Sequence, residues 1–167
     1  MERENLFVPG KEDYIRRRHH GPPEKCILCA IAAGDDDVVN LELYRTDGFI
    51  VTLNLYPYNP GHVMLFPARH VEDPRELSAA EATALARLQN ATLDVLAREY
   101  GPAGFNVGYN LGAAAGASIP HLHLHVVPRY RNELGVMEIL SGVKILIEDP
   151  AATQERLRRA FARSEKE

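Results

Sequence analysis

The 167-residue chain contains no apolar run of bilayer length, so no membrane span is expected. Its opening residues, Met1-Glu2-Arg3-Glu4, lack the apolar stretch of a signal peptide, which makes the cytoplasm the expected compartment. There is no surplus of positive charge, and the net charge of −4 removes the electrostatic reason to expect nucleic-acid binding. Cysteine is scarce, at two residues, and in a reducing compartment such a pair points to metal or redox chemistry ahead of a structural disulfide. Internal repeats and low-complexity tracts are also missing. What remains, 46% hydrophobic and 25% charged residues over this length, is the composition of one globular domain with a complete core.

Against that background one stretch is unusual: Ser118-Ile119-Pro120-His121-Leu122-His123-Leu124-His125-Val126-Val127-Pro128-Arg129. Histidine alternates with large apolar residues, which is strand periodicity. Leu122, Leu124 and Val126 are expected in a core, with His121, His123 and His125 in a row on the opposite face, roughly 6.5–7 Å apart. Solvated sheet faces favour Thr, Lys and Glu, whereas imidazole does nucleophilic, acid–base or metal chemistry near neutral pH.

The rest of the chain supplies a frame for that row. Cys26-Ile27-Leu28-Cys29 opens an apolar run to Ala33, read as one or two helical turns. A Cys-x-x-Cys pair is half of a tetrahedral zinc site, and with no second pair two histidines must complete any such site; free thiols or a redox pair remain open. Val38–Arg45 and Phe49–Leu55 read as strands around the turn Thr46-Asp47-Gly48. A loop with two prolines and a glycine, Asn54–Gly61, leads to a strand over His62–Phe66, with His70 beyond it. Ser78 and Glu81 form a capping box for a long helix whose core stripe is Leu85, Leu88, Thr92, Val95 and Leu96. Ala82 and Ala86 are expected to permit close packing, and Tyr100-Gly101-Pro102 stops the helix. Phe105–Asn110 is a fourth strand. The small-residue loop Leu111–Ser118 then allows backbone amides to approach an anion, as phosphate loops do. A further strand is expected at Val143–Ile147, and Asp149-Pro150 caps a last helix to about Ala162. The expected organisation is a polar arm over 1–23 with the basic cluster Arg16–His20, a central domain over 24–150, and a helix with a charged tail over 151–167.

His121-Leu122-His123-Leu124-His125-Val126-Val127 resembles the signature of the histidine triad (HIT) family, in which three histidines alternate with apolar residues. The resemblance extends upstream: Asn54 lies eight residues before His62 within Pro60-Gly61-His62-Val63, and Asn110-Leu111-Gly112 precedes Gly116 and the triad at the family spacing. It covers roughly residues 24–130. It implies an α+β HIT-like fold, with an antiparallel sheet of about five strands, one long helix, a short N-terminal helix and a C-terminal helix, usually as a homodimer. Short loops between sequential strands suggest a meander with the long helix on one face and the histidines on the other.

The resemblance also implies a chemistry. His123 would attack the α-phosphorus of a nucleoside polyphosphate, forming a nucleotidyl-histidine later resolved by water, inorganic phosphate or another acceptor. Neutral imidazole needs no prior deprotonation for this role. His125 and Asn110, with donors around Ser118, would stabilise charge on the phosphoryl oxygens. His62 would sit near the α-phosphate or leaving group, Asn54 matches the position that contacts ribose, and Leu55 would help line the base pocket. No organic cofactor and no magnesium motif are implied. By the same resemblance Cys26, Cys29, His70 and His121 would hold a structural zinc, with four protein ligands and no open position.

Two departures bear on the acceptor. Many triad hydrolases carry glutamine where this chain has Ala117, and the segment Met137–Leu146 follows the triad here. Together these resemble the bacterial diadenosine tetraphosphate phosphorylase branch, in which inorganic phosphate resolves the intermediate, bound here by Asn110 and the Gly116-Ala117-Ser118 loop. The expected partners are an adenine dinucleotide, phosphate and a second copy of the chain, with no nucleic acid or membrane. The alternatives are a HIT hydrolase of nucleoside phosphates, phosphoramidates or dinucleoside polyphosphates, a catalytic metalloenzyme with His121, His123 and His125 as ligands, and a non-catalytic nucleotide-binding module.

Overall fold

The computed structural model describes residues 26–131, 133 and 148–164. In chain order they form α1 (Ile27–Ala33), β1 (Glu42–Thr46), β2 (Phe49–Leu53), β3 (Val63–Pro67), α2 (Ala79–Tyr100), β4 (Gly104–Gly108), β5 (Leu124–Arg129) and α3 (Pro150–Ser164), with short 3₁₀ turns at Pro74–Glu76 and Ala113–Ala115. The expected N-terminal arm, the strand at Val143–Ile147 and the last residues of the tail lie outside the described residues. No helix among the described residues is long and apolar enough to cross a membrane.

Local chemistry accounts for the element ends. Asp47 and Gly48 both take positive φ, at 48° and 76°, the geometry of the two-residue turn whose twist matches a β-hairpin. At the start of α2, Ser78 Oγ accepts from the Glu81 amide at 3.2 Å and Glu81 Oε2 accepts from the Ser78 amide at 2.8 Å. Gly101 closes α2 in the left-handed conformation. Asp149 Oδ1 accepts from the Ala152 amide at 2.8 Å, with Pro150 opening α3.

The strands pair antiparallel in the order β1-β2-β3-β5-β4. The meander expectation therefore holds for β1 to β3 only. The 22 residues of α2 span about 33 Å, enough to carry the chain past the open edge of β3. Strand β4 then forms the far edge, and β5 returns between β4 and β3.

Every residue of β2 and β3 is buried because both faces of the sheet are covered at its centre. On one face Val51, Leu53, Val63, Leu65, Leu124 and Val126 pack beneath Leu85, Leu88, Val95 and Leu96 of α2 and Leu157 and Phe161 of α3. The core stripe of α2 is the expected one, but Ala82 and Ala86 are exposed and take no part in close packing. On the other face Ile50 and Phe66 meet Leu28 and Ile31 of α1 together with Ile119. Helix α3 also shields the β1 edge: Gln154 Nε2 and Arg158 Nε donate to the Glu42 carbonyl at 3.0 and 2.7 Å. A covered edge offers no open ladder to another chain.

Candidate active site and metal cluster

The histidine row does not run along one strand. β5 begins at Leu124, and residues 121–123 are irregular. Continuing the β3–β5 ladder past Leu65↔Leu124 would bring Leu122 opposite Pro67, which has no N–H to give. The chain turns away instead: the Leu122 amide donates to the Val71 carbonyl at 2.6 Å, and the His121 ring takes the Pro67 carbonyl. That break separates the three imidazoles into two sites.

Hydrogen-bond partners fix the tautomer of each ring. His123 Nδ1–H donates to the His121 carbonyl at 2.7 Å, which leaves Nε2 with its lone pair. The Tyr58 amide donates to His62 Nδ1 at 3.1 Å, so the His62 proton sits on Nε2 and is donated to His125 Nδ1 at 3.0 Å. A neutral His125 then carries its own proton on Nε2, as a donor. One ring offers a lone pair and its neighbour offers an N–H, with ring centroids 4.8 Å apart.

Burial favours the neutral form of His123 and His62. It lowers the His123 pKa, opposed by the hydrogen bond to the His121 carbonyl. Burial, reinforced by the nearby His125 and His123, pulls His62 down to about 3.

His121 faces the cysteines. Its Nε2–H donates to the Pro67 carbonyl at 2.9 Å, so its Nδ1 lone pair points to Cys26 Sγ at 3.4 Å and Cys29 Sγ at 3.5 Å. His70 Nδ1 lies 3.2 Å from Cys29 Sγ, and its Nε2 lies 3.5 Å from the Glu72 carboxylate. The four ligand atoms all fall within 4.8 Å of one another. In tetrahedral zinc, bond lengths of about 2.3 Å to sulfur and about 2.05 Å to nitrogen separate S from N by about 3.5 Å. The three S–N spacings of 3.2, 3.4 and 3.5 Å lie near that value, and the oriented imidazoles are those that metal ligation uses. These residues can hold a metal ion. Burial, with a lesser contribution from Cys26, pushes the Cys29 thiol up to about 11, so the thiolate needed for coordination depends on a cation in the cluster.

A cavity of about 240 Å³ opens beside the other two histidines. Its floor includes a row crossing the sheet, Thr52–Met64–His125, in register on β2, β3 and β5. Gly108 on β4 opposes His125, so no side chain crowds the imidazole from that strand. Ile27, Leu28, Ile31, Val38, Leu41 and Leu53 form an apolar wall, and Asn54, Asn110, Ser118, His123 and His125 bring polar groups to the same space. An apolar wall beside converging donors suits a ring system joined to an anion.

The model of the HIT domain matches residues 38–132, more than half of the chain. The chain belongs to the HIT family. It is 43% identical over 95 residues to a Mycobacterium tuberculosis protein named AP-4-A phosphorylase, a match covering 56% of this chain and 49% of that relative. The chain thus spans about half the length of that relative. It is also 30% identical over 97 residues to the asymmetrical bis(5'-nucleosyl)-tetraphosphatase of Schizosaccharomyces pombe, covering 58% of this chain and 53% of the relative. Among solved structures, a zinc-bound histidine triad family protein from Mycobacterium smegmatis superposes with a TM-score of 0.70 at 24% identity, over 86% of this chain and 97% of that one. The α+β HIT fold expected from the triad is the fold observed.

Within this HIT domain, Asn54, Leu55, Asn110, Gly116, Ser118, His123 and His125 share the cavity. Ala117 is not among its lining residues: its amide donates to the Gly112 carbonyl at 3.2 Å, and the Gly116 amide donates to Ala113 at 3.0 Å. Both amides bond within the turn, while Gly116, Ser118 and Asn110 line the cavity. His62 is fully buried and is not among the residues lining the cavity; its Nε2–H donates to His125 Nδ1 and so orients that ring. His121 belongs to the metal cluster, and the three triad imidazoles do not converge on one ion. The apolar wall supplied by α1 was not anticipated, although Ile27, Leu28 and Ile31 follow helical spacing. Tyr58 was also missed; it lines the cavity and stacks on His62 with centroids 4.8 Å apart.

Proposed function

We propose that this HIT protein transfers a nucleotidyl group from a dinucleoside polyphosphate of the diadenosine tetraphosphate type, through a covalent nucleotidyl-His123 intermediate resolved by inorganic phosphate. The observation that carries this reading is the 2.7 Å bond from His123 Nδ1–H to the His121 carbonyl, which reserves the Nε2 lone pair for attack beside the cavity. Nε2 forms a bond to the α-phosphorus while the bond from that phosphorus to the bridging oxygen breaks, releasing ATP as the leaving polyanion. A phosphate oxygen then attacks the same phosphorus, the P–N bond breaks, and ADP leaves with His123 regenerated. His125 Nε2–H, Ser118 and the Asn110 amide stabilise charge on the phosphoryl oxygens in both steps. Asn54 and Leu55 hold the ribose and base against the apolar wall.

The same reading makes Cys26, Cys29, His70 and His121 ligands of a structural zinc. That ion holds the segment before β5 against α1, and the His121 carbonyl with it. The spacing of the four ligand atoms and the zinc-bound HIT neighbour support this assignment. A homodimer is part of the proposal, tested by light scattering in solution.

Incubation with diadenosine tetraphosphate, with and without phosphate, tests the reaction. ADP and ATP formed only with phosphate is the expected result. AMP formed without phosphate makes the protein a hydrolase, the second reading, which the similarity to the tetraphosphatase favours. Nucleotide binding without any product makes it a binding module.

A further inference from the structure

The loop between β2 and β3, residues 54–61, carries a buried polar side chain that no step of the proposed reaction uses. Asn59 is 2% exposed, whereas Leu55 and Tyr58 of the same loop stand open to solvent. Its Nδ2 donates to the Pro128 carbonyl at 2.7 Å and to Glu133 Oε1 at 3.0 Å. Both partners only accept, so the orientation of the amide is unambiguous. Both also belong to the far end of the triad strand. The pairing of β3 with β5 opens at Val63↔Val126, which leaves the Pro128 carbonyl beyond that ladder, and Asn59 supplies its donor. Glu133 is in turn held by Arg129 Nε and Nη2 at 2.8 and 2.6 Å, and Tyr130 Oη donates to the Pro60 carbonyl at 3.0 Å. We propose that Asn59 is a positioning residue: by pinning this loop to the end of β5 it decides which nitrogen of His125 carries the proton. For its kinetic consequence the inference rests on the nucleotidyl-transfer reading above.

The pinned loop meets the imidazoles at two points. The Asn59 carbonyl accepts from the His62 amide at 3.1 Å, and the Tyr58 amide, one residue earlier, donates to His62 Nδ1 at 3.1 Å. That backbone donor puts the His62 proton on Nε2, from which it is given to His125 Nδ1 at 3.0 Å. Asn54 Nδ2 lies 3.4 and 3.3 Å from the two ring nitrogens of His62, nearly equidistant, and so does not choose between them. The pair of rings has two self-consistent states. With the Tyr58 amide in place, His62 donates, and His125 accepts at Nδ1 and keeps its proton on Nε2. Without that amide, His62 can hold its proton on Nδ1 and accept at Nε2. His125 then donates from Nδ1, and its Nε2 presents a lone pair where the phosphoryl oxygens need a donor. Losing one donor to developing negative charge lowers kcat by about 100- to 1000-fold. Asn59 is not among the cavity-lining residues, so it acts through the loop and not on the substrate.

The test reads imidazole tautomers by two-bond proton–nitrogen correlation in ¹⁵N-labelled protein, at a pH above the ordinary imidazole range, beside kinetics with diadenosine tetraphosphate and phosphate. Wild type is expected to show Nε2–H on His62 and His125 and Nδ1–H on His123. In Asn59→Ala, His62 and His125 should move to mixed or Nδ1–H tautomers, while His123, held by the His121 carbonyl, stays as it is. In the same variant kcat should fall at least about 10-fold with KM little changed. If Asn59→Ala does not fold, Asn59→Asp is read in its place, since it keeps the side chain's shape and replaces its donor by an oxygen. A His62 proton on Nδ1 in wild type overturns the inference without any variant. Wild-type tautomers in the folded variant also overturn it, even where kcat falls, because the loss would then arise from general loosening. Shifted tautomers with undiminished kcat overturn its kinetic part. Absence of turnover in wild type overturns the nucleotidyl-transfer reading, and the tautomer shift still decides whether Asn59 sets the His125 proton.

Discussion

Replacing Cys26 by serine leaves three of the four ligands and is expected to release the metal, and with it the cluster's longest connection, between Cys26 and His121, 95 residues apart in sequence. Treated as a cross-link that restricts the unfolded chain, a closure of this length contributes about 4.7 kcal/mol. In a chain of this size each kcal/mol moves the melting temperature by about 2–4 °C, so Cys26→Ser should melt roughly 10–20 °C below the zinc-loaded wild type. Stripping wild type with a strong chelator should produce a fall of the same order, reversed by added zinc. The assay is a thermal melt beside elemental analysis of each sample. Turnover at saturating substrate, measured well below both melting temperatures, should change far less than stability. Freshly purified wild type with well below one zinc per chain, or a melting temperature indifferent to chelator, refutes the reasoning.

Acid should destabilise the fold in part through His62, which stays neutral when folded down to about pH 3. The unfolded chain takes up that proton below about pH 6.5, so the stability from a neutral His62 is complete above that pH and is lost below it, by about 2 kcal/mol at pH 5. In His62→Gln the loss between pH 7 and 5, read from urea melts, should be smaller by about this amount. Gly61→Ala should destabilise by about 2–4 kcal/mol, because an added Cβ would lie 2.8 Å from the Tyr100 ring at a φ of +76°. A urea midpoint unchanged in that variant would contradict it. His123→Ala should remain folded by circular dichroism and lose turnover.

Much of this molecule was legible because its signals are local. Ser78 with Glu81, Asp47-Gly48, Tyr100-Gly101 and Asp149-Pro150 each specify a turn or a cap through their own backbone and side-chain bonds, and each lies where expected. The residue types gathered at both places were legible too: the alternating imidazoles stood out, and the thiol pair, with other uses open, needed two histidines to complete a metal site. What was not legible depends on tertiary contact. The insertion of β5 between β3 and β4 follows from the reach of α2, which periodicity does not report. The alternating pattern suggested one histidine face, yet Pro67 ends the ladder and sends His121 to the cysteines while His123 and His125 stay at the cavity. His62 stands at the head of a strand, and its bonds to the Tyr58 amide and to His125, which orient the His125 ring, are tertiary contacts that the sequence does not report.

The central claim is a covalent adduct on His123. Wild type mixed with diadenosine tetraphosphate in the absence of phosphate should be quenched into alkaline denaturant, which spares P–N bonds, and weighed intact and after digestion. A mass increase of one AMP moiety on the peptide carrying His123, absent in His123→Ala and discharged to ADP when phosphate is added, is the predicted result. Undiminished turnover by His123→Ala, or an adduct mapped to another residue, would contradict the account.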